Sequence, residues 1–126
     1  MKQLISRTVP AFAAVAVAAL ALSPLAMARV GRQASAQTAT VQVKGGEFFF
    51  KLSTKTIPRP EKVTFVFKNV GHVLHDFEIH GKKTALIQPG KSAKLTVTFK
   101  KKGKYPYMCT VEGHASAGMK GTFTVK

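Results

Sequence analysis

From Thr38 to the C-terminus, apolar and polar side chains alternate with a period of two, and no stretch sustains the 3.6-residue period of an amphipathic helix. The alternating sets are Val41 and Val43; Val63, Phe65 and Phe67; Phe77 and Ile79; Leu95, Val97 and Phe99; Tyr105, Tyr107 and Cys109; and Phe123 and Val125. Each set predicts a half-buried strand, because successive side chains of a strand point to opposite faces of its sheet. Turn formers separate the sets: Gly45-Gly46, Pro58-Arg59-Pro60, Asn69-Val70-Gly71, Gly81, Gln88-Pro89-Gly90, Gly103 and Gly113. Short strands spaced this closely predict an all-β fold, a Greek-key antiparallel β-sandwich of about seven to eight strands. Phe48, Phe50, Phe65, Phe67, Phe77, Phe99 and Phe123 are the candidate core, each contributing about 1.5–3 kcal/mol on burial.

The pattern changes character upstream of Thr38. Lys2 and Arg7 precede an almost uncharged run from Val9 to Ala28, rich in Ala, Val and Leu, which reads as the basic and apolar regions of a signal peptide. Ala26-Met27-Ala28 and Ala34-Ser35-Ala36 offer small residues for cleavage after Ala28 or after Ala36. The alternative is an uncleaved anchor, since Ala11 to Ala28 is barely long enough to span a bilayer, but Ser23-Pro24 near its end fits a cleavage region better. Residues 29–37 form a polar leader or linker, and residues 38–126 form one domain. The working protein is expected in the periplasm or outside the cell, with association to a membrane left open.

Charge narrows the partners. The chain of 126 residues carries 20 Lys and Arg against 5 Asp and Glu, a formal net charge of +15. The basic residues are interleaved with Val, Phe, Thr and Gly instead of forming a tail, so a histone-like or disordered reading is weak and no nucleic-acid partner is expected. Lys82-Lys83 and Lys100-Lys101-Lys102 with Lys104 are expected at the far ends of strands, where they would meet an acidic protein partner or an anionic membrane surface. A solvated basic face is the plain alternative. A monomer is expected. Cys109 is the only cysteine, which excludes an intramolecular disulfide, an iron–sulfur cluster and a four-cysteine zinc site. A lone exported cysteine is a liability unless it is buried, modified or bound.

The run from Tyr105 to Gly121 gives that cysteine a use. Cys109 ends an alternating strand, four residues separate it from His114, and four more separate His114 from Met119. A thiolate, an imidazole and a thioether on one loop form a soft donor set that suits copper. Upstream, Asn69-Val-Gly-His-Val-Leu-His-Asp-Phe supplies a second imidazole where a loop enters a strand. Two His and one Cys in a plane with a long axial Met is the type 1 copper arrangement. Each residue also has a plainer reading: Cys109 as a small buried hydrophobe, Met119 as core packing, His72 and His80 as solvated imidazoles. Met108 should point away from whatever Cys109 faces.

With these features the chain resembles the plastocyanin/azurin family of cupredoxins. The resemblance runs through Glu47-Phe48 with Phe50 and Leu52, Ile57-Pro58, Val63-Thr-Phe-Val-Phe, Asn69, Gly71, His75-Asp76-Phe77, Pro89-Gly90, Gly103-Lys-Tyr105-Pro-Tyr107-Met-Cys109, His114 and Met119-Lys-Gly121. It implies a Greek-key sandwich with one type 1 copper at one end, held by His75, Cys109, His114 and Met119, and one-electron transfer between redox proteins. Pro106 departs from the pattern by removing a backbone donor, and is expected to face a sheet edge. Four ligands leave no open position for a substrate, and there is no His-x-His pair and no His-Glu-x-x-His, so an enzyme is not expected. A copper storage or delivery protein using the same ligands is the alternative, although Met- or His-rich flexible stretches are missing.

Overall fold

The structure, a computed structural model, describes residues 38–126 together with Pro10 and Ala11. The remainder of the export segment (1–28) and the leader (29–37) lie outside the described residues. No helix among the described residues is long and apolar enough to cross a membrane.

Among the described residues nine strands run in order: β1 (Ala39–Gly46), β2 (Phe49–Leu52), β3 (Thr56–Ile57), β4 (Lys62–Asn69), β5 (Glu78–Ile79), β6 (Lys82–Lys83), β7 (Ser92–Thr98), β8 (Gly103–Met108) and β9 (Lys120–Val125). They form a four-stranded sheet in the order β2-β1-β4-β7 and a five-stranded sheet in the order β3-β9-β8-β5-β6. This is the expected all-β sandwich, with two pairings that the antiparallel expectation misses: β1 runs parallel to β4, and β3 runs parallel to β9. A tight hairpin can only produce antiparallel neighbours. Here the chain leaves the first sheet after β2, passes through β3 in the second, and returns to the first as β4, which permits a parallel partner.

Alternation is regular on the inner faces. Val41 and Val43 of β1, Val63, Phe65 and Phe67 of β4, and Val97 of β7 meet Ile79, Tyr107, Phe123 and Val125 of the second sheet, all nearly or fully buried. Phe65 is at the centre. Its ring centroid lies 5.3 Å from those of Phe77 and Phe123 and 6.3 Å from that of Phe99, so one side chain of the first sheet touches three rings. Edge-on and tilted rings at these distances add to the free energy of area burial.

Two local expectations fail at one place. Gly45-Gly46 is not the turn: both residues still belong to β1, and the chain reverses at Glu47 and Phe48. A Cβ on Gly45 would overlap the Phe50 and Phe67 rings, so this glycine serves close packing instead. As a consequence Phe48 is carried to the tip of the hairpin, 42% exposed, and does not join the core as its aromatic character suggested. Phe50, one strand position further on, is partly buried against that core. Pro106 behaves as expected in one respect: of the β8 residues only Tyr107 and Met108 pair with β5, so Pro106 lies just past the end of that ladder.

The two kinds of phenylalanine should separate in unfolding experiments. Phe65→Ala is expected to lower stability by about 3–5 kcal/mol, whereas Phe48→Ala costs less than about 1 kcal/mol. Urea unfolding of both variants followed by circular dichroism checks the difference; equal losses would place Phe48 in the core after all.

Candidate metal centre

Three chain segments converge at one end of the sandwich. β8 runs directly into Cys109, which is 1% exposed and whose N–H donates to the Met119 carbonyl at 3.1 Å. The ten-residue excursion that follows is wound on itself by backbone bonds from His114 N to Val111 O, Ala117 N to Gly113 O and Met119 N to His114 O. Gly113, at a φ of 81°, makes the bend that sends His114 back toward Cys109, a conformation that a side chain would strain. Met119 then enters β9 fully buried, with its backbone bonded to both Cys109 and His114.

The second segment follows β4. Asn69 is fully buried; its amide donates to the carbonyls of Val73 and Ile87 at 2.7 Å each and accepts from Gly71 N at 2.9 Å. One side chain thereby fixes the 70–74 loop that leads to His75, which is itself paired with Ile87 through a backbone bridge. Asp76, 2% exposed, accepts from the N–H of Thr110 at 2.6 Å and from its hydroxyl, tying the residue after one imidazole to the residue after the thiol. The third segment is the β1–β2 turn. Glu47 Oε1 lies 2.8 Å from His75 Nε2 and also accepts from the N–H groups of His72 and Val73 at 2.9 and 3.1 Å. Phe48 sets its ring edge-on to that of His114, with centroids 5.1 Å apart.

The geometry is that of a small triangle. His75 Nδ1 and His114 Nδ1 are 3.1 Å apart, and Cys109 Sγ is 3.9 Å from the first and 3.6 Å from the second. The point equidistant from all three lies inside the triangle at about 2.1 Å from each, within the roughly 2.0–2.3 Å of nitrogen and thiolate bonds to a borderline metal. Two imidazoles and one thiolate, with a buried thioether residue adjoining, form a donor set suited to copper. Among the described residues His75, Cys109 and His114 are the group of His, Cys, Asp and Glu side chains close enough to share an ion. His72, with its side chain 95% exposed, and His80, stacked on Phe99 and edge-on to Tyr105, stand apart from it. Met108 is 37% exposed and faces outward as strand alternation requires.

A cupredoxin-like domain model matches residues 11–125. The chain is a cupredoxin. Its cofactor is one type 1 copper ion, which the donor set fits. This cupredoxin is 26% identical over 144 aligned residues to the copper-resistant cuproprotein CopI of Pseudomonas aeruginosa, covering 75% of this chain and 80% of that one. It is 28% identical to CopI of Rubrivivax gelatinosus, covering 78% and 72%. A shorter stretch is 48% identical over 42 residues to auracyanin-B of Chloroflexus aurantiacus, covering 33% of this chain and 18% of that protein. In three dimensions it is similar to the dithionite-reduced auracyanin of Roseiflexus castenholzii, with a TM-score of 0.61 at 24% identity over 71% of this chain and 98% of the other.

Electrostatics at this end of the cupredoxin follow from burial and hydrogen bonding. Burial pushes the Cys109 thiol up, and the nearby Asp76 carboxylate adds to the effect, while backbone donors from Asp76 and Val111 oppose it. Binding of a metal by this sulfur would therefore require the thiol proton to leave. Glu47 is held down at about 2, chiefly by the His72 N–H and then by the His75 ring. Sequence reasoning missed Glu47 and Phe48 as part of the site: the Glu-Phe pair entered only as one of the features that carry the family resemblance, and Phe48 was expected in the core.

The Asp76–Thr110 link makes a prediction about the metal-free protein. Asp76→Ala leaves the Thr110 N–H without its acceptor and should cost about 1.5–3 kcal/mol. Asp76→Asn keeps an oxygen for that N–H and should cost less than half as much. Denaturant midpoints of the two copper-free variants measure this; equal losses would show that charge, not acceptance, is what the link supplies.

Proposed function

We propose that this cupredoxin is an exported carrier of single electrons between redox proteins, in which His75, Cys109, His114 and Met119 would hold the copper. The observation that carries this reading is the triangle of donor atoms, already of metal-bonding size among side chains locked by backbone and side-chain hydrogen bonds. Copper supplies a Cu(II)/Cu(I) couple there. The protein's part is to keep the donors still, so that little rearranges when the charge changes, and to leave no open position for a substrate.

His114 is the way in and out. It is only half-buried, its loop neighbours Ala115, Ser116, Ala117 and Gly118 are small and uncharged, and exposed apolar residues crowd the adjoining loops: Phe48, Val70, Val73, Leu74 and Leu86. A partner can approach such a surface closely without stripping water from charges. Of the basic cluster, Lys100, Lys101, Lys102 and Lys104 lie toward the other end, because the six residues of β8 separate Lys101 and Lys102 from Cys109 by roughly 20 Å; Lys82 and Lys83 do not join them, since β6 lies across β5 from Tyr107 and Met108, beside the strand end that leads into Cys109. The remote lysines would hold an acidic partner domain or an anionic membrane surface while His114 stays free. Co-sedimentation with anionic vesicles but not neutral ones at low salt is expected for the membrane form of this idea, and no difference between the lipids would remove it.

The relation to two proteins named copper-resistant supports a second reading, copper storage or delivery through the same ligands. Voltammetry separates the two: a reversible one-electron wave supports the carrier, and its absence in a copper-loaded protein supports the store. Two variants test the ligands. Cys109→Ser should remain folded and lose the intense visible absorption of the Cu(II) form, since that colour comes from copper–sulfur bonding. Met119→Leu should retain copper and colour but show a higher reduction potential, because a hydrocarbon replaces a donor that favours the more highly charged ion. An unchanged potential would reduce Met119 to a packing residue.

A further inference from the structure

We infer that Glu47, on the β1–β2 turn, is a positioning and charge residue of the copper centre: through the His75 ring it fixes the imidazole for metal binding and holds the reduction potential down. The inference rests on His75 being a ligand, as proposed above.

Three observations carry it. The Glu47 carboxylate meets His75 at Nε2, the nitrogen directed away from Cys109 and His114, while Nδ1 is the atom in the donor triangle. An Nε2–H bonded to a carboxylate leaves the lone pair on Nδ1, so this contact selects the tautomer able to bind metal. The carboxylate is also not free to leave, because the same oxygen accepts from the N–H groups of His72 and Val73. Finally, Gly71 makes room for it: a Cβ there would overlap the Glu47 carboxyl group. A sequence with 5 acidic residues and 20 basic ones thus sets one of its few carboxylates against a buried imidazole and clears a neighbouring position for it.

The charge has a direction. A carboxylate one imidazole ring away raises the basicity of the ring and adds negative potential at the metal, and both favour Cu(II) over Cu(I). Glutamine in its place retains an oxygen that can accept from His72, Val73 and His75 but carries no charge, so Glu47→Gln isolates the electrostatic part. Glu47→Ala removes both parts.

The test uses the full chain, with the wild type measured alongside. In Glu47→Gln the blue absorption should persist and the Cu(I) to Cu(II) ratio at a fixed applied potential should rise about tenfold, equivalent to about 59 mV for a one-electron couple. Gly71→Ala, which displaces the carboxylate without removing it, should move the potential in the same direction. In copper-free protein, nitrogen-15 NMR of the histidines should show His75 protonated at Nε2 in wild type and in Glu47→Gln, and a mixture of tautomers in Glu47→Ala. A blue Glu47→Gln variant with its ratio within twofold of wild type, or with a lowered potential, would overturn the charge role. A pure Nε2–H tautomer in Glu47→Ala would overturn the positioning role. A wild-type protein that binds copper without a blue band would instead remove the ligand assignment, leaving the tautomer result as the measure of Glu47.

Discussion

The copper end of the molecule is organised around the complete burial of His75. An imidazole taken out of water with an unpaired N–H costs about 1–3 kcal/mol, and the ring here is 0% exposed. Its Nε2 finds Glu47, Glu47 is anchored by the N–H groups of the loop before His75, and that loop is folded by the buried amide of Asn69. Asn69 ends β4, and the turn bearing Glu47 follows β1, its parallel neighbour in the same sheet. The parallel pairing of β1 with β4 is therefore what brings a carboxylate and an imidazole 28 positions apart into hydrogen-bond range. Among the described residues no buried side-chain nitrogen or oxygen lacks a partner, the condition for a polar cluster to add rigidity instead of strain.

The same turn reaches both imidazoles. Glu47 bonds to the ring of His75 and Phe48 packs edge-on against that of His114, so a two-residue tip braces two rings from different segments. This explains why a large aromatic side chain stays 42% exposed at the end of a hairpin when the core would take it. Charge is distributed with equal economy. Glu47 and Asp76 are two of the chain's five acidic residues, and both lie against the histidine and cysteine segments, while Lys100, Lys101, Lys102 and Lys104 gather around the β7–β8 connection at the other end. The copper end is not free of positive charge, since Lys120 follows Met119 and pairs with Met108; the two carboxylates are distinguished by lying directly against the histidine and cysteine segments.

What the sequence revealed, and what it hid, follows from range. Strand identity is a local property, since a period of two is visible within five residues, and the sets containing Phe65, Phe67, Tyr107 and Phe123 lie on the inner faces as alternation requires. Cys109, His114 and Met119 are legible for the same reason: they share one loop, and their spacing is itself the signal. His75 could be separated from His72 and His80 only with the help of the resemblance, because what distinguishes it is burial beside a residue 34 positions away. Glu47 and Phe48 carry no local mark at all. The double glycine before them looked like the turn, yet Gly45 is small because Phe50 and Phe67 occupy the space beside it. Parallel pairing is hidden in the same way, since alternation reports which face of a strand is buried and not the direction of its neighbour.

The spacing of the two ring nitrogens also says how the metal-free centre is held together. His75 Nε2 lies against the Glu47 carboxylate, and His114 Nδ1 lies only 3.1 Å from His75 Nδ1. Two lone pairs would repel at that distance, so a hydrogen carried by one of the two nitrogens joins them. The two rings are thus held together at the place where an ion would sit, and metal binding would require that shared hydrogen and the thiol proton of Cys109 to leave. The histidines differ in what surrounds them: His75 is fully buried and braced by a carboxylate, whereas His114 is half-buried and is the ring of the pair that reaches water.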